Sequence, residues 1–328
     1  MMNWINITSS SWGPKLVRVL CNNLPRTQAY QIGDWLTSFA TRQKELPLVK
    51  GLHANMAVVL GLPEGHPRVH HAVNQLFHNI VRGYVDLYKA LKKGPHGVFS
   101  TCKFDEVLLD SMDACQASGR GLVLVGAHSC SFDLLLLALK SVFPEVQALT
   151  KRDPKGSSMV MNEIRETFGI RVTPISTRSL REAIVRLKSG GVVVIAADVP
   201  VETGAEMVFF RRKTRLPIGH ARLAAKTGAK MIVGTSQRVS NGSYRVIGAQ
   251  VHRPAPSGDR EHDVIRWAQH ALFLLEGFIR ERPYEWFMPS PLWPDPQIPV
   301  ISPKMRRSVP LLAQNPDRLQ SKGDVQVS

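Results

Sequence analysis

Several runs in the second half of this chain are apolar almost without interruption: 121–127 (GLVLVGA), 146–149 (VQAL), 171–175 (RVTPI), 191–197 (GVVVIAA) and 230–236 (KMIVGTS). A strand with one face in water alternates apolar and polar side chains, so runs without that alternation belong to strands buried on both faces. Between them lie stretches of helical periodicity at 132–142, 158–168, 180–188 and 218–227. Strands of this kind spaced by helices predict an α/β fold with a mostly parallel central sheet flanked by helices. The segment 244–251 reads as a further strand at an edge, and 263–280 as a last helix.

The first third has a different texture. From residue 66 to 91, Val69, Val73, Leu76, Phe77, Ile80, Tyr84, Leu87 and Leu91 recur at offsets of three and four, with Pro67 in the opening turn. That spacing predicts one long helix with a core-facing stripe, and shorter helices are expected at 28–41, 46–59 and 104–117. The chain therefore divides into an N-terminal helical region packing on the core (1–117), an α/β core (118–293) and a disordered tail (294–328) rich in Pro and polar residues.

Charge narrows the partners. Lys and Arg number 42 against 26 Asp and Glu, a formal charge of +16, which points to something acidic: nucleic acid, lipid headgroups, coenzyme A phosphates or an acidic carrier protein. The four cysteines are scattered and form no C-x-x-C pair, so neither a disulfide framework nor a zinc site is indicated and a reducing, cytoplasmic setting is expected. No run reaches the roughly 18–20 apolar residues of a membrane span. The first 26 residues mix Trp4, Ile5, Ile7, Trp12, Leu16, Val17 and Leu20 with Lys15, Arg18 and Arg26, which suits either an anionic membrane surface or a first helix packed on its own domain.

In a parallel sheet, ligands gather at the carboxyl ends of the strands. One such end carries Gly126-Ala127-His128-Ser129-Cys130-Ser131-Phe132-Asp133. If His128 sits in the turn and Asp133 in the first turn of the following helix, the carboxylate can fold back to accept the imidazole N–H, fixing the tautomer of a general base. Ser129 or Ser131 is the expected N-cap. A second strand end places Asp198 directly after GVVVIAA, with Glu202 four residues on; an acid there is either costly to bury or poised for use.

The ensemble resembles the bacterial lipid A biosynthesis acyltransferase superfamily, which includes lauroyl and myristoyl transferases and phosphatidylinositol mannoside acyltransferases. The features run in order over residues 55–286: Asn55 in GLHANMAVVLG, His128-x4-Asp133, Lys151-Arg152-Asp153-Pro154 with Arg165 beyond it, Asp198, the pair Phe209-Phe210, LPIGHARLAAKTGAKMIVG, and Pro283-Tyr284-Glu285-Trp286. Two departures stand out. Arg211 follows the double Phe where the family usually has Gly, and Val199-Pro200 lies where many members have a second acid.

The resemblance implies a glycerolipid acyltransferase-like fold and transfer of a fatty acyl group from acyl-CoA or acyl carrier protein to a lipid hydroxyl. His128 would be the general base oriented by Asp133. Asp198 is the favoured second acid over Glu202, and Arg152 and Arg165 would bind substrate phosphates. Backbone N–H groups around residues 127–131, or one of those arginines, would stabilise the oxyanion. No cofactor is required, and attachment to the cytoplasmic face of an anionic membrane would be peripheral.

Two rivals are weaker. A hydrolase using Ser129 or Cys130 lacks the G-x-S-x-G elbow. A basic nucleic-acid- or lipid-binding protein without catalysis would rest on the overall charge and the run from Arg211 to Arg215, unaccompanied by any nucleic-acid recognition motif, and His128 and Asp133 argue against it. His66 and His70 have i, i+4 spacing, but no acid or cysteine lies beside them, so no metal is expected.

Overall fold

The computed structural model of the chain describes residues 12–293 apart from 44, 155 and 241. The expected tail and the first eleven residues lie outside the described residues. Among the described residues five helices lead: α1 (Trp12–Asn23), α2 (Arg26–Arg42), α3 (Pro47–Leu60), α4 (Pro67–Lys92) and α5 (Gly94–Thr101). Proline at the start of α3 and α4 costs no intrahelical bond, because the first-turn N–H groups have no partner within the helix. His66 is the N-cap of α4, its ring accepting from the Arg68 N–H (3.1 Å), and His70 is hydrogen-bonded to His53 on α3 (2.8 Å). Among the described residues, no three His, Cys, Asp or Glu side chains are grouped as a metal would need.

The remainder is built from β1 (Cys102–Phe104), α6 (Glu106–Ala117), β2 (Leu122–Gly126), α7 (Phe132–Ala138), β3 (Val146–Thr150), α8 (Ser157–Thr167), β4 (Arg171–Pro174) and α9 (Thr177–Lys188), followed by β5 (Val192–Ala196), β6 (Ala205–Phe209), β7 (Arg212–Leu216), α10 (Gly219–Thr227), β8 (Lys230–Ser240), β9 (Ser243–Gln250) and α11 (Arg260–Glu281). A seven-stranded sheet has the order β1-β9-β8-β2-β5-β3-β4. All neighbouring pairs are parallel except β8 with β9. The expected edge strand, β9, is covered by β1, a three-residue strand too short to leave a periodic signal. Helix α5, which contains Gly94, Pro95 and Gly97, was likewise invisible in the pattern.

The apolar runs behave as their composition dictates. Leu122, Leu124, Val192 and Val194 face a core formed with α6 and α7, while Val123, Val125, Val193 and Ile195 face a second core with α10 and α11. Each such side chain contributes on the order of 1.5–3 kcal/mol on burial. The two faces together fix β2 and β5 at the centre.

The basic run from Arg211 to Arg215 is part of a hairpin separate from the main sheet. Strand β7 pairs antiparallel with β6; Met207, Phe209, Thr214 and Leu216 turn inward, while Lys213 pairs with Glu206 (2.7 Å) outside. Phe210 and Arg211 form the two-residue turn, with φ of 51° and 63°. Such a turn needs positive φ at both positions, which glycine adopts freely and other residues adopt at a cost of about 1–2 kcal/mol each. Phe210 is held there by its ring, packed on Trp286 at 6.1 Å and under the Arg280 guanidinium at 4.8 Å, and by its N–H, which donates to Glu276 (2.7 Å). Arg211 is exposed. Replacing Arg211 with Gly should therefore raise stability by about 1 kcal/mol, seen as a higher melting temperature, whereas Phe210→Gly should lower it.

Candidate functional site

Strands β2 and β5 are paired in parallel from Leu122↔Val192 to Gly126↔Ala196. The register continues one step further, with the Ala197 N–H donating to the Gly126 carbonyl (3.1 Å). His128 and Asp198 are each two residues past the last paired position, so the sheet itself sets them opposite one another. Asp198 is fully buried. Its Oδ1 accepts from His128 Nδ1 (2.7 Å), and its Oδ2 accepts from the His128 backbone N–H (2.8 Å) and from Trp286 Nε1 (2.9 Å).

An ionised carboxylate in this position is tolerable only because three N–H donors converge on it. Burial pushes its pKa up, but the His128 charge and these hydrogen bonds outweigh burial and hold it below the usual carboxylate range. The Asp198 charge in turn raises the pKa of His128 against the opposing effect of burial. With Nδ1 donating to the carboxylate, Nε2 carries the lone pair, and the imidazole side chain is 45% exposed. The ring stacks on Phe132 (centroids 6.4 Å apart, 19° between planes).

Asp133 does not orient this imidazole. It lies in the first turn of α7, where its Oδ1 accepts from Arg165 Nε (2.9 Å) and Nη2 (2.6 Å) on α8. Arg165 Nη1 continues to Asn162 (2.9 Å). The direction of α7 carries the carboxylate toward α8, while the β2/β5 register supplies the acid that reaches Nδ1. Both Asp133 and Arg165 remain close enough to act on the His128 charge. Arg152 is exposed beyond the carboxyl end of β3. Glu202 is exposed in the loop after β5, its backbone carbonyl accepting from Arg215 (3.4 Å), and its side chain does not join the His128–Asp198 pair.

Most of the backbone donors expected to form an oxyanion hole are already engaged. His128 N–H goes to Asp198, Ser129 N–H to the Ala127 carbonyl (2.8 Å) and Cys130 N–H to the Glu285 carbonyl (2.8 Å). Ser131 is the N-cap of α7 but makes no capping bond with its side chain; its Oγ meets Ser236 Oγ at 2.8 Å. Neither Ser129 nor Cys130 is hydrogen-bonded to the imidazole among the described residues, and burial pushes the Cys130 thiol well up, away from the thiolate a nucleophile requires.

The residues after α11 form a strap over this loop. Phe287 N–H donates to the His128 carbonyl (2.7 Å), and Ser129 forms a bridge with Trp286. Asn55, buried on α3, donates to the Met288 and Ser290 carbonyls (2.7 and 2.8 Å) and accepts from the Leu292 N–H (2.9 Å). Trp286 also packs with Phe209, Phe210 and Trp293 in one aromatic cluster. On the opposite side, Gly83 of α4 lies so close to the loop that a Cβ would meet the Cys130 carbonyl oxygen at 2.2 Å. The role of Trp286 escaped sequence reasoning; it was visible only within the block Pro283-Tyr284-Glu285-Trp286, and nothing local ties it to an acid 88 positions earlier.

Residues 10–294 match the sequence family described as bacterial lipid A biosynthesis acyltransferase. The chain belongs to that family. Among individual relatives, it is 34% identical over 131 residues to the phosphatidylinositol mannoside acyltransferase of Mycobacterium tuberculosis (strain CDC 1551 / Oshkosh), covering 38% of this chain and 41% of the relative. It is 28% identical over 134 residues to the protein of that name from Mycolicibacterium smegmatis, covering 39% and 44%. The chain thus spans less than half the length of the curated relatives it matches.

Trp286→Phe keeps the aromatic packing and removes one donor from the buried carboxylate. Stability should fall by about 1–3 kcal/mol in urea denaturation. With less of its charge compensated, Asp198 should hold the imidazolium more tightly, so the His128 ring, followed by NMR, should titrate at higher pH than in the unaltered protein.

Proposed function

We propose that this protein is an acyltransferase that moves a fatty acyl group from a thioester, acyl-CoA or acyl carrier protein, to a hydroxyl of a membrane glycolipid or phospholipid. The observation that carries this reading is the buried Asp198 holding the Nδ1 side of His128 while the imidazole stays accessible, in a chain of this family. Nε2 takes the acceptor's hydroxyl proton as its oxygen attacks the thioester carbonyl carbon. The tetrahedral oxyanion then collapses, the C–S bond breaks, and the departing thiolate receives the proton from Nε2. Asp198 stabilises the imidazolium formed in between without accepting its proton. No covalent acyl-enzyme, metal or redox cofactor enters the scheme.

Arg165, part-buried and fixed by Asp133 and Asn162, is the side chain best placed among the expected cations to face the oxyanion or a substrate phosphate. Arg152 would serve as a more exposed phosphate contact. The names of the relatives make a phosphatidylinositol mannoside the first acceptor to try. The acceptor and its acylated product are lipids, so the protein would work at the surface of a bilayer, on its cytoplasmic face; among the described residues no helix is long and apolar enough to cross a membrane.

Incubating the purified protein with labelled acyl-CoA or acyl carrier protein and a lipid extract should yield a labelled acyl-lipid identified by mass; release of free fatty acid alone would overturn the reading in favour of a hydrolase. His128→Ala should abolish the product while the protein stays folded. Asp198→Asn should lower kcat by about 10²–10⁴-fold, more than Asp133→Asn, because only Asp198 holds the reactive imidazole. Activity should also depend on pH in a defined direction. The base must be neutral and its pKa is raised, so kcat/KM should begin to fall, as pH is lowered, above the ordinary imidazole value of about 6.5. An acidic limb at or below that value would count against the Asp198–His128 pairing.

A further inference from the structure

The resemblance leads one to expect a glycine after Phe209-Phe210, and Arg211 stands there instead, at a φ of 63° that an arginine reaches only against steric resistance. Strained backbone of this kind persists mostly at functional positions. The Arg211 side chain is exposed and makes no hydrogen bond or ion pair among the described residues. Its neighbour Arg212 is part-buried, and its Nη1 is enclosed with no acceptor among the described residues. Arg186 and Arg238 also keep a buried nitrogen out of hydrogen bonding, but each is paired with a carboxylate, Glu145 and Asp86. On the same hairpin Lys213 is matched by Glu206, and Arg280, over the Phe210 ring, is matched by Glu276. Trp293, stacked on Phe209 at 6.0 Å, likewise has a buried Nε1 without an acceptor. Phe209 is the cross-strand partner of Arg212, and such partners share a face of the hairpin, so the two orphan N–H groups adjoin the same ring. Buried donors are rarely left without an acceptor unless one is supplied from outside the chain.

We propose that Arg211 and Arg212, at the tip of the β6–β7 hairpin, bind a phosphate group of one of the two substrates. The proposal rests on the acyltransfer reading and adds to it an anchor set apart from the reacting atoms. A guanidinium fork matches the paired oxygens of a phosphate, and that anion would satisfy Arg212 Nη1 while neutralising two adjacent cations. The place suits an anchor. Phe210 packs on Trp286 at 6.1 Å, and the Trp286 indole donates to Asp198, so two aromatic side chains link the hairpin tip to the His128–Asp198 pair. Both kinds of substrate carry phosphate at some remove from the atoms that react: a coenzyme A donor in its nucleotide, a phospholipid acceptor in its headgroup. Glycine would make the same turn without strain, so the arginine keeps a charge here at the expense of stability.

The full chain is titrated calorimetrically with two pairs of probes: coenzyme A against pantetheine, and glycerophosphoinositol against myo-inositol. In one pair the phosphate-bearing member should bind Arg211→Gly about 10-fold more weakly than the unaltered protein, and Arg211→Gly/Arg212→Gln more weakly still. The phosphate-free member of that pair should bind the unaltered protein and Arg211→Gly within about twofold of each other. The pair that responds tells whether the phosphate comes from the donor or from the acceptor. Affinity of the unaltered protein should also fall more steeply with salt than that of Arg211→Gly. Because Arg211→Gly eases the turn and should raise the melting temperature, weaker binding by it cannot be put down to unfolding. The proposal is overturned if Arg211→Gly binds both coenzyme A and glycerophosphoinositol within about twofold of the unaltered protein, if neither probe binds, or if the phosphate-free member weakens equally. Binding is read without turnover. A protein that holds one of these probes through Arg211 yet forms no acyl-lipid would sink the acyltransfer reading and keep the phosphate site; an active enzyme whose binding ignores Arg211→Gly would do the reverse.

Discussion

A carboxylate with no exposed surface, Asp198, sits at the mouth of the central sheet, and the surrounding structure is arranged to make that burial tolerable. Removing an acid from water without partners would shift it to its neutral form. Here it stays ionised through donors from two sources: the backbone and ring of His128 at the end of the neighbouring strand, and the indole of Trp286, 88 residues further along the chain. The first source follows from strand register alone. The second requires the strap, the aromatic cluster beneath it and the hairpin turn at Phe210 to be in place, so the reactivity of one imidazole is tied to packing across the whole core.

A second buried acid plays the corresponding part for the N-terminal helices. Asp86 on α4 accepts from Tyr30 (2.5 Å) and Tyr244 (2.8 Å) and pairs with Arg26 (3.1 Å) and Arg238 (3.6 Å). It joins α2 and α4 to the β8–β9 hairpin. Arg238 also donates its backbone N–H to Glu285 (3.4 Å), whose carboxyl burial pushes up to about 7 despite Arg282 and Arg238. Helices α2 and α4 are thus fastened to the same strand end that borders the strap.

The strands and helices of the core were legible because burial on two faces leaves a compositional mark: runs such as GLVLVGA lack the polar alternation of a strand with one face in water. What periodicity missed was short or alternating. Strand β1 has three residues, and β6 and β7 interleave Glu, Lys and Arg with their inward positions, so they read as a loop and a basic cluster. At the site, His128 and Asp198 could each be singled out as polar residues ending apolar strands, but their pairing depended on which strands are neighbours. Sequence proximity favoured Asp133 for the imidazole; strand adjacency, invisible in one dimension, gave that position to Asp198 and left Asp133 to Arg165. A glycine after the double Phe, which the resemblance led one to expect, would suit the positive φ that Arg211 adopts here, next to a Phe210 held by its own contacts.

The strap has a consequence for how the protein is made. A ribosome delivers residues 1–285, with nearly all the described sheet and helices, before Trp286 leaves the exit tunnel. Until then the acid has lost one of its donors, Asn55 has nothing to clasp, and the carbonyl of His128 lacks the amide of Phe287. A nascent chain can therefore gather its hydrophobic layers early, while the imidazole waits for residues 286–292 before its partner acid is fully held.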